Sequence, residues 1–155
     1  MSKGNGNYSD NEILELASEI IFKRKLRGQQ VKGPLDIKNY LDAKMAKHDR
    51  EVFGVILLSH EYRVIAYEEL FFGTIDKATV HARPIVDCAI KHKASTIALV
   101  HSHPFRSATP SDKDIAMTRE LKNILAPLDI YIMDHYIVGD DFYSMRFQGF
   151  KELFK

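Results

Sequence analysis

The chain has 155 residues, with 22 Lys+Arg against 21 Asp+Glu, seven His, a single Cys and no Trp. Its 45% apolar and 28% charged residues exclude a largely disordered chain and suit one domain with a single core. Lone Cys88 excludes an internal disulfide and any zinc site built from several thiolates, while a net charge of +1 argues against a protein built to grip phosphates.

Residues 1–8 are rich in Gly, Asn and Ser and are expected to be a disordered start. They lack the apolar core of a signal peptide, and the longest apolar run, Val52 to Leu58, is too short to cross a bilayer. The expectation is a cytoplasmic protein with no membrane partner. Ser9 and Glu12 form a capping-box pattern ahead of Ile13, Leu16, Ala17, Ile20 and Ile21 at helical spacing. The spacing predicts a helix over 10–26, ending in Lys23, Arg24, Lys25 and Arg27, with Gly28 as its stop. That basic cluster reads as a solvated helix end before it reads as a nucleic-acid contact. Residues 9–34 are thus taken as an N-terminal helix and linker, and 35–155 as the main domain.

After Gly33-Pro34, Asp36 is placed to cap a second helix presenting Ile37, Tyr40, Leu41 and Met45. VFGVILLS and YRVIAYEEL read as a hairpin. A third helix is expected near 82–93, with Pro84 in its first turn and Ile85, Cys88 and Ala89 facing the core. Cys88 therefore reads as packing. STIALVHSH is a buried strand, and Thr109-Pro110-Ser111-Asp112 opens a helix to about Ala126. LDIYIMD, HYIVG and FYSMRF are expected as three short strands, with a short segment near 150–154. Interleaved strands and helices define an α/β class with a mixed sheet flanked by helices.

Chemistry concentrates in His101-Ser102-His103-Pro104 and Ser111-Asp112-Lys113-Asp114. Alternation along a strand places His101 and His103 on one face, and Pro104 stops the strand just beyond them. Ser111 and Asp114 share a face of the following helix, and the intervening loop can bring that helix start back over the strand end. Two imidazoles and one carboxylate are a common ligand set for catalytic zinc, with water in the fourth position. Taken singly, a strand-end His is usually a surface residue and Ser-x-x-Asp a helix start. Their conjunction is what points to a metal.

The pattern His101-x-His103-x7-Ser111-x2-Asp114 resembles the JAMM metalloprotease motif of the JAB/MPN superfamily. Its surroundings resemble the bacterial RadC family in particular: Glu51-Val-Phe, Gly73-Thr74, Val80-His81-x-Arg83, Thr109-Pro110, Thr118 and Asp134-His135-x-Ile137-Val138-Gly139. The resemblance covers about residues 35–150. It implies a JAB/MPN, cytidine-deaminase-like architecture and one zinc ion per chain held by His101, His103 and Asp114. It further implies that Glu51 deprotonates the water and that Ser111 helps hold the developing oxyanion. A zinc-dependent peptidase or isopeptidase acting on a peptide or isopeptide-linked protein follows as the expected function. The other expectations are a RadC-type accessory role in DNA repair or recombination and a non-catalytic interaction module. DNA is not the favoured partner, because the charge is near zero and no Gly-x-Gly hairpin of the helix-hairpin-helix kind precedes Ile13. The sequence leaves the oligomeric state open.

Two departures from the family pattern stand out. Where HNHPSG is common, this chain has HSHPFR, so Ser102 loses an amide and Phe105-Arg106 makes a bulkier loop that should alter access to the site. Asp134 and His135 are expected as a hydrogen-bonded pair or as partners orienting the ligands. His81 is assigned a structural role, and His48, His60 and His92 are placed on the surface.

Overall fold

The structure, a computed structural model, describes residues 6–76 and 78–155. The expectation of a disordered start falls largely on residues 1–5, outside the described residues. Helix α1 (Asp10–Ile21) continues through a π-helical turn, Phe22–Leu26, and is followed by α2 (Leu35–Met45), β1 (Val52–Leu58) and β2 (Val64–Phe72). Then come α3 (Ala82–Lys91), β3 (Thr96–Ser102), α4 (Asp112–Leu125), β4 (Tyr131–Val138) and β5 (Phe142–Ser144). One five-stranded mixed sheet, in the order β2-β1-β3-β4-β5, organises the molecule. Among the described strands only β3 and β4 pair in parallel, and α4 is the crossover between them.

The central strands are buried on both faces. In β1, Phe53, Val55 and Leu57 join Ile85 and Cys88 of α3 and Met117, Leu121 and Leu125 of α4 in one apolar layer. The alternate residues Val52, Ile56 and Leu58 join Ile37, Tyr40, Leu41 and Met45 of α2 in the other. Period-two alternation on the strands therefore meets period-3.6 faces on the helices, which is the physical content of the α/β class. Leu26 and Val31 belong to the α2 layer. Among the described residues no helix is long and apolar enough to cross a membrane.

Three local expectations change and two hold. Ser9 accepts from Glu12 N, giving α1 its cap. Asp36 is not the cap of α2: Pro34 takes that position, and the Asp36 carboxylate accepts from the backbone N–H of Lys32 and Gly33. LDIYIMD and HYIVG form the single strand β4, because Asp134 and His135 both find buried partners and no turn is needed between the two runs. His60 is exposed, but His48 and His92 are half-buried and pair with Glu69 and Glu68. Lys23, Arg24, Lys25 and Arg27 are all exposed, and the Arg27 guanidinium lies 5.4 Å from the centre of the Phe22 ring.

Candidate metal centre

His101 lies near the end of β3, on the face shared with Leu99 and covered by α4. His103 follows one residue past the strand, its N–H donating to Val138 O at 2.7 Å. The two rings stand 4.8 Å apart and nearly perpendicular. Between them, Ser102 turns to the opposite face, where its hydroxyl accepts from Val52 N at 2.8 Å. Helix α4 starts directly over this strand end. Ser111 caps it by accepting from Asp114 N, and the Asp114 carboxylate accepts from Ser111 N and Ser111 Oγ. This reciprocal box locks the Asp114 side chain toward the histidines.

Asp114 touches both imidazoles. His101 Nδ1 donates to its Oδ1 at 2.7 Å, and His103 Nε2 stands 3.2 Å from its Oδ2. Burial works to raise the Asp114 pKa, but the contacts with His101 and His103 outweigh it and hold the carboxyl well below the usual carboxylate range. Glu51, the residue before β1, brings Oε1 within 3.1 Å of His101 Nε2. Around His101, the donor atoms of Glu51, His101 and His103 lie within 4.8 Å of one another, as do those of His101, Asp114 and His135.

The tautomers follow from the partners. A backbone carbonyl only accepts, so His103 Nδ1 carries the proton that it donates to Ser107 O at 3.0 Å. His103 Nε2 is buried, makes no hydrogen bond and stands against the Asp114 carboxylate. Thr118 Oγ1 donates to Asp114 O, so it must accept from His135 Nδ1. His135 Nε2 is likewise buried and without a hydrogen-bond partner. Burial pushes the His135 pKa down to about 3, so the ring is neutral. Two buried imidazole nitrogens without hydrogen-bond partners, beside a buried carboxylate, are a donor set whose chemistry fits a zinc-type ion.

Of the residues singled out in the sequence, the structure gathers Glu51, His101, His103, Ser111, Asp114 and His135. Asp134 is not among them. Its carboxylate accepts from Ser144 Oγ, His135 N and Arg146 N, tying β4 to β5. Three contacts were not visible in the sequence: Arg106 Nη2 donates to Glu51 Oε1 at 2.9 Å, Thr118 orients His135, and the Ser107 carbonyl orients His103. Only Thr118, through its place in the family pattern, left a signal there. Beside His103 opens a cavity of about 390 Å³ lined by Met45, His48, Pro104, Phe105 and Asp141.

A mixed sheet with a crossover helix start over the HxH strand end defines the class of JAB-type domains. The profile of the RadC-like JAB domain matches residues 31–150. A UPF0758 protein of Vibrio cholerae serotype O1 is 38% identical over 142 residues, covering 92% of this chain and 90% of that protein. A UPF0758 protein of Thioalkalivibrio sulfidiphilus is 39% identical over 147 residues, or 94% of this chain. One from Cellvibrio japonicus is 42% identical over 128 residues, or 83% of this chain. The chain spans 66% and 57% of the length of these last two relatives. The protein belongs to the RadC-like JAB domain family.

Proposed function

We propose that this chain is a zinc-dependent hydrolase of the peptidase or isopeptidase type, with His101, His103 and Asp114 as the metal ligands. The observation that carries the reading is His103 Nε2, a buried ring nitrogen that makes no hydrogen bond and is held 3.2 Å from the Asp114 carboxylate. A buried ring nitrogen and a carboxylate oxygen so placed are ligand atoms that a shared cation would satisfy. Zinc, when bound in such a set, lowers the pKa of water toward about 7 and polarises a carbonyl.

The chain's own groups supply the rest. Glu51 is half-buried at the rim of the cluster and takes the proton of the attacking water, then returns it to the departing amine. Ser111 offers a hydroxyl at the start of α4. That hydroxyl donates to Asp114, so donation to a developing oxyanion requires it to rotate. His135, neutral and fully buried, lies against the same donors and keeps the floor of the site uncharged. Arg106 shares the Glu51 oxygen that points to His101, so this base works only when that guanidinium swings aside.

The test is hydrolysis of a panel of peptide and isopeptide-linked substrates by the zinc-loaded protein. Glu51→Gln should slow any cleavage by about 10²- to 10⁴-fold, the contribution typical of a general base. Cleavage by that variant at the wild-type rate removes Glu51 from the mechanism.

A further inference from the structure

A second set of donors lies away from the His101 cluster, between the edge strand and α3. Cys88 and His92 are four residues apart at the C-terminal end of α3 and share a helix face. Glu68 of β2 faces them, and the donor atoms of Glu68, Cys88 and His92 all lie within 4.8 Å of one another. His92 Nε2 pairs with Glu68 Oε2, and the Cys88 sulfur lies within 4.8 Å of the ligand atoms of both. The register separates this set from the first: Glu68 pairs with Val55 on β1, whereas His101 pairs with Phe53.

We infer that Glu68, Cys88 and His92 form a second metal site that takes a divalent ion of the zinc type. Thiolate, imidazole and carboxylate on one ion are the mixed sulfur, nitrogen and oxygen ligands that zinc accepts, leaving a fourth position for water. The carboxylate and imidazole are only half-buried, which gives the ion an entry path, while Cys88 is 5% exposed and closes the inner side. Lys91 approaches the same carboxylate at 3.5 Å, but its side chain is largely exposed and is free to leave when a divalent cation arrives. Binding forms a metal–sulfur bond and releases the thiol proton to solvent. Burial and the negative charge of Glu68 push that thiol up to about 12, so the packing role assigned to Cys88 describes the metal-free form. The ion would fasten the sheet's edge strand to α3.

Cobalt(II) is the probe, because a sulfur-to-cobalt charge-transfer band in the ultraviolet can arise only from Cys88, the sole thiol. The His101 cluster has no sulfur, so failure of either site is read separately. On titrating cobalt into the full chain, the band should appear and saturate within the two equivalents that the two sites take up, and in His103→Ala, with the first site gone, it should reach the same amplitude at one equivalent. It should vanish in Cys88→Ser, while Glu68→Gln and His92→Ala, which alter half-buried groups, should weaken cobalt binding by about tenfold or more. Circular dichroism checks that each variant is folded. A folded wild type that gives no such band at saturating cobalt overturns the inference. So does a band of undiminished affinity in both Glu68→Gln and His92→Ala.

Discussion

At the scale of single residues, Asp134 and His135 show how two neighbours in one strand acquire different roles. Their side chains leave the strand on opposite faces. His135 meets Thr118 and the His101 cluster, whereas Asp134 meets Ser144 and the backbone of Arg146. Burial raises the Asp134 pKa to about 6 and lowers that of His135 to about 3. The two make opposite contributions to stability against pH. The folded state holds the Asp134 proton more tightly than the unfolded chain does, so this contribution is full below about pH 4 and is lost as pH rises through 6. The folded state resists charging His135, so that contribution is full above about pH 6.5 and is lost on acidification toward 3. In Asp134→Asn the amide preserves the acceptor for the two backbone N–H groups and can donate to Ser144. Urea unfolding should therefore find this variant more stable than the wild type at pH 7, the difference shrinking by up to about 3 kcal/mol as pH falls to 4. A pH-independent difference would show that Asp134 is ionised in the fold throughout that range.

At the scale of elements, the loop from His103 to Ala108 is what the sequence described least well. The replacement of a small pair by Phe105-Arg106 suggested only a bulkier loop. In the structure Phe105 takes a left-handed φ of 61° and points its ring to solvent, while Arg106 reaches Glu51. The loop is held against the β4–β5 turn by Asp140 N donating to Arg106 O and Ala108 N donating to Asp141. Gly139 makes that approach possible, since a Cβ there would lie 2.4 Å from Arg106 O and 2.9 Å from Ala108 N. Neither backbone atom can yield without moving the loop. Gly139→Ala should destabilise the fold by about 1–3 kcal/mol, the usual effect of forced overpacking, and loosen the Arg106–Glu51 contact. Thermal unfolding and hydrogen exchange at residues 103–108 measure both. Unchanged protection there would mean that the loop does not depend on this glycine.

Much of the rest was legible, for physical reasons that differ by element. The apolar faces of α2 and α3, the hairpin and the double-sided burial of β1 and β3 follow from periodicity alone. The convergence of His101 and His103 follows from strand alternation, and Asp114 meets them because the capping box turns its carboxylate toward the strand end. What was not legible depends on partners distant in sequence. Asp36 gave up the cap because the backbone of Lys32 and Gly33 curls onto its carboxylate. Glu51 reaches His101 only because β1 and β3 pair with Phe53 beside His101, a register that no local pattern encodes. The Glu68–Cys88–His92 set likewise needs β2 to lie against α3.

At the scale of the whole molecule, one sheet carries the His101 cluster at the C-terminal end of its middle strand and a thiol-containing cluster at its edge. The charge is close to balanced, and Lys23, Arg24, Lys25 and Arg27 are exposed. The central claim is that His103, with its buried Nε2, is a zinc ligand. Zinc content per chain tests it most directly, measured on protein purified without chelators in a Cys88→Ser background so that the edge cluster does not contribute. The account predicts about one zinc per chain, retained in Glu51→Gln and lost when His103→Ala is added. A folded chain that carries no zinc and fails to take it up when zinc is supplied would contradict it.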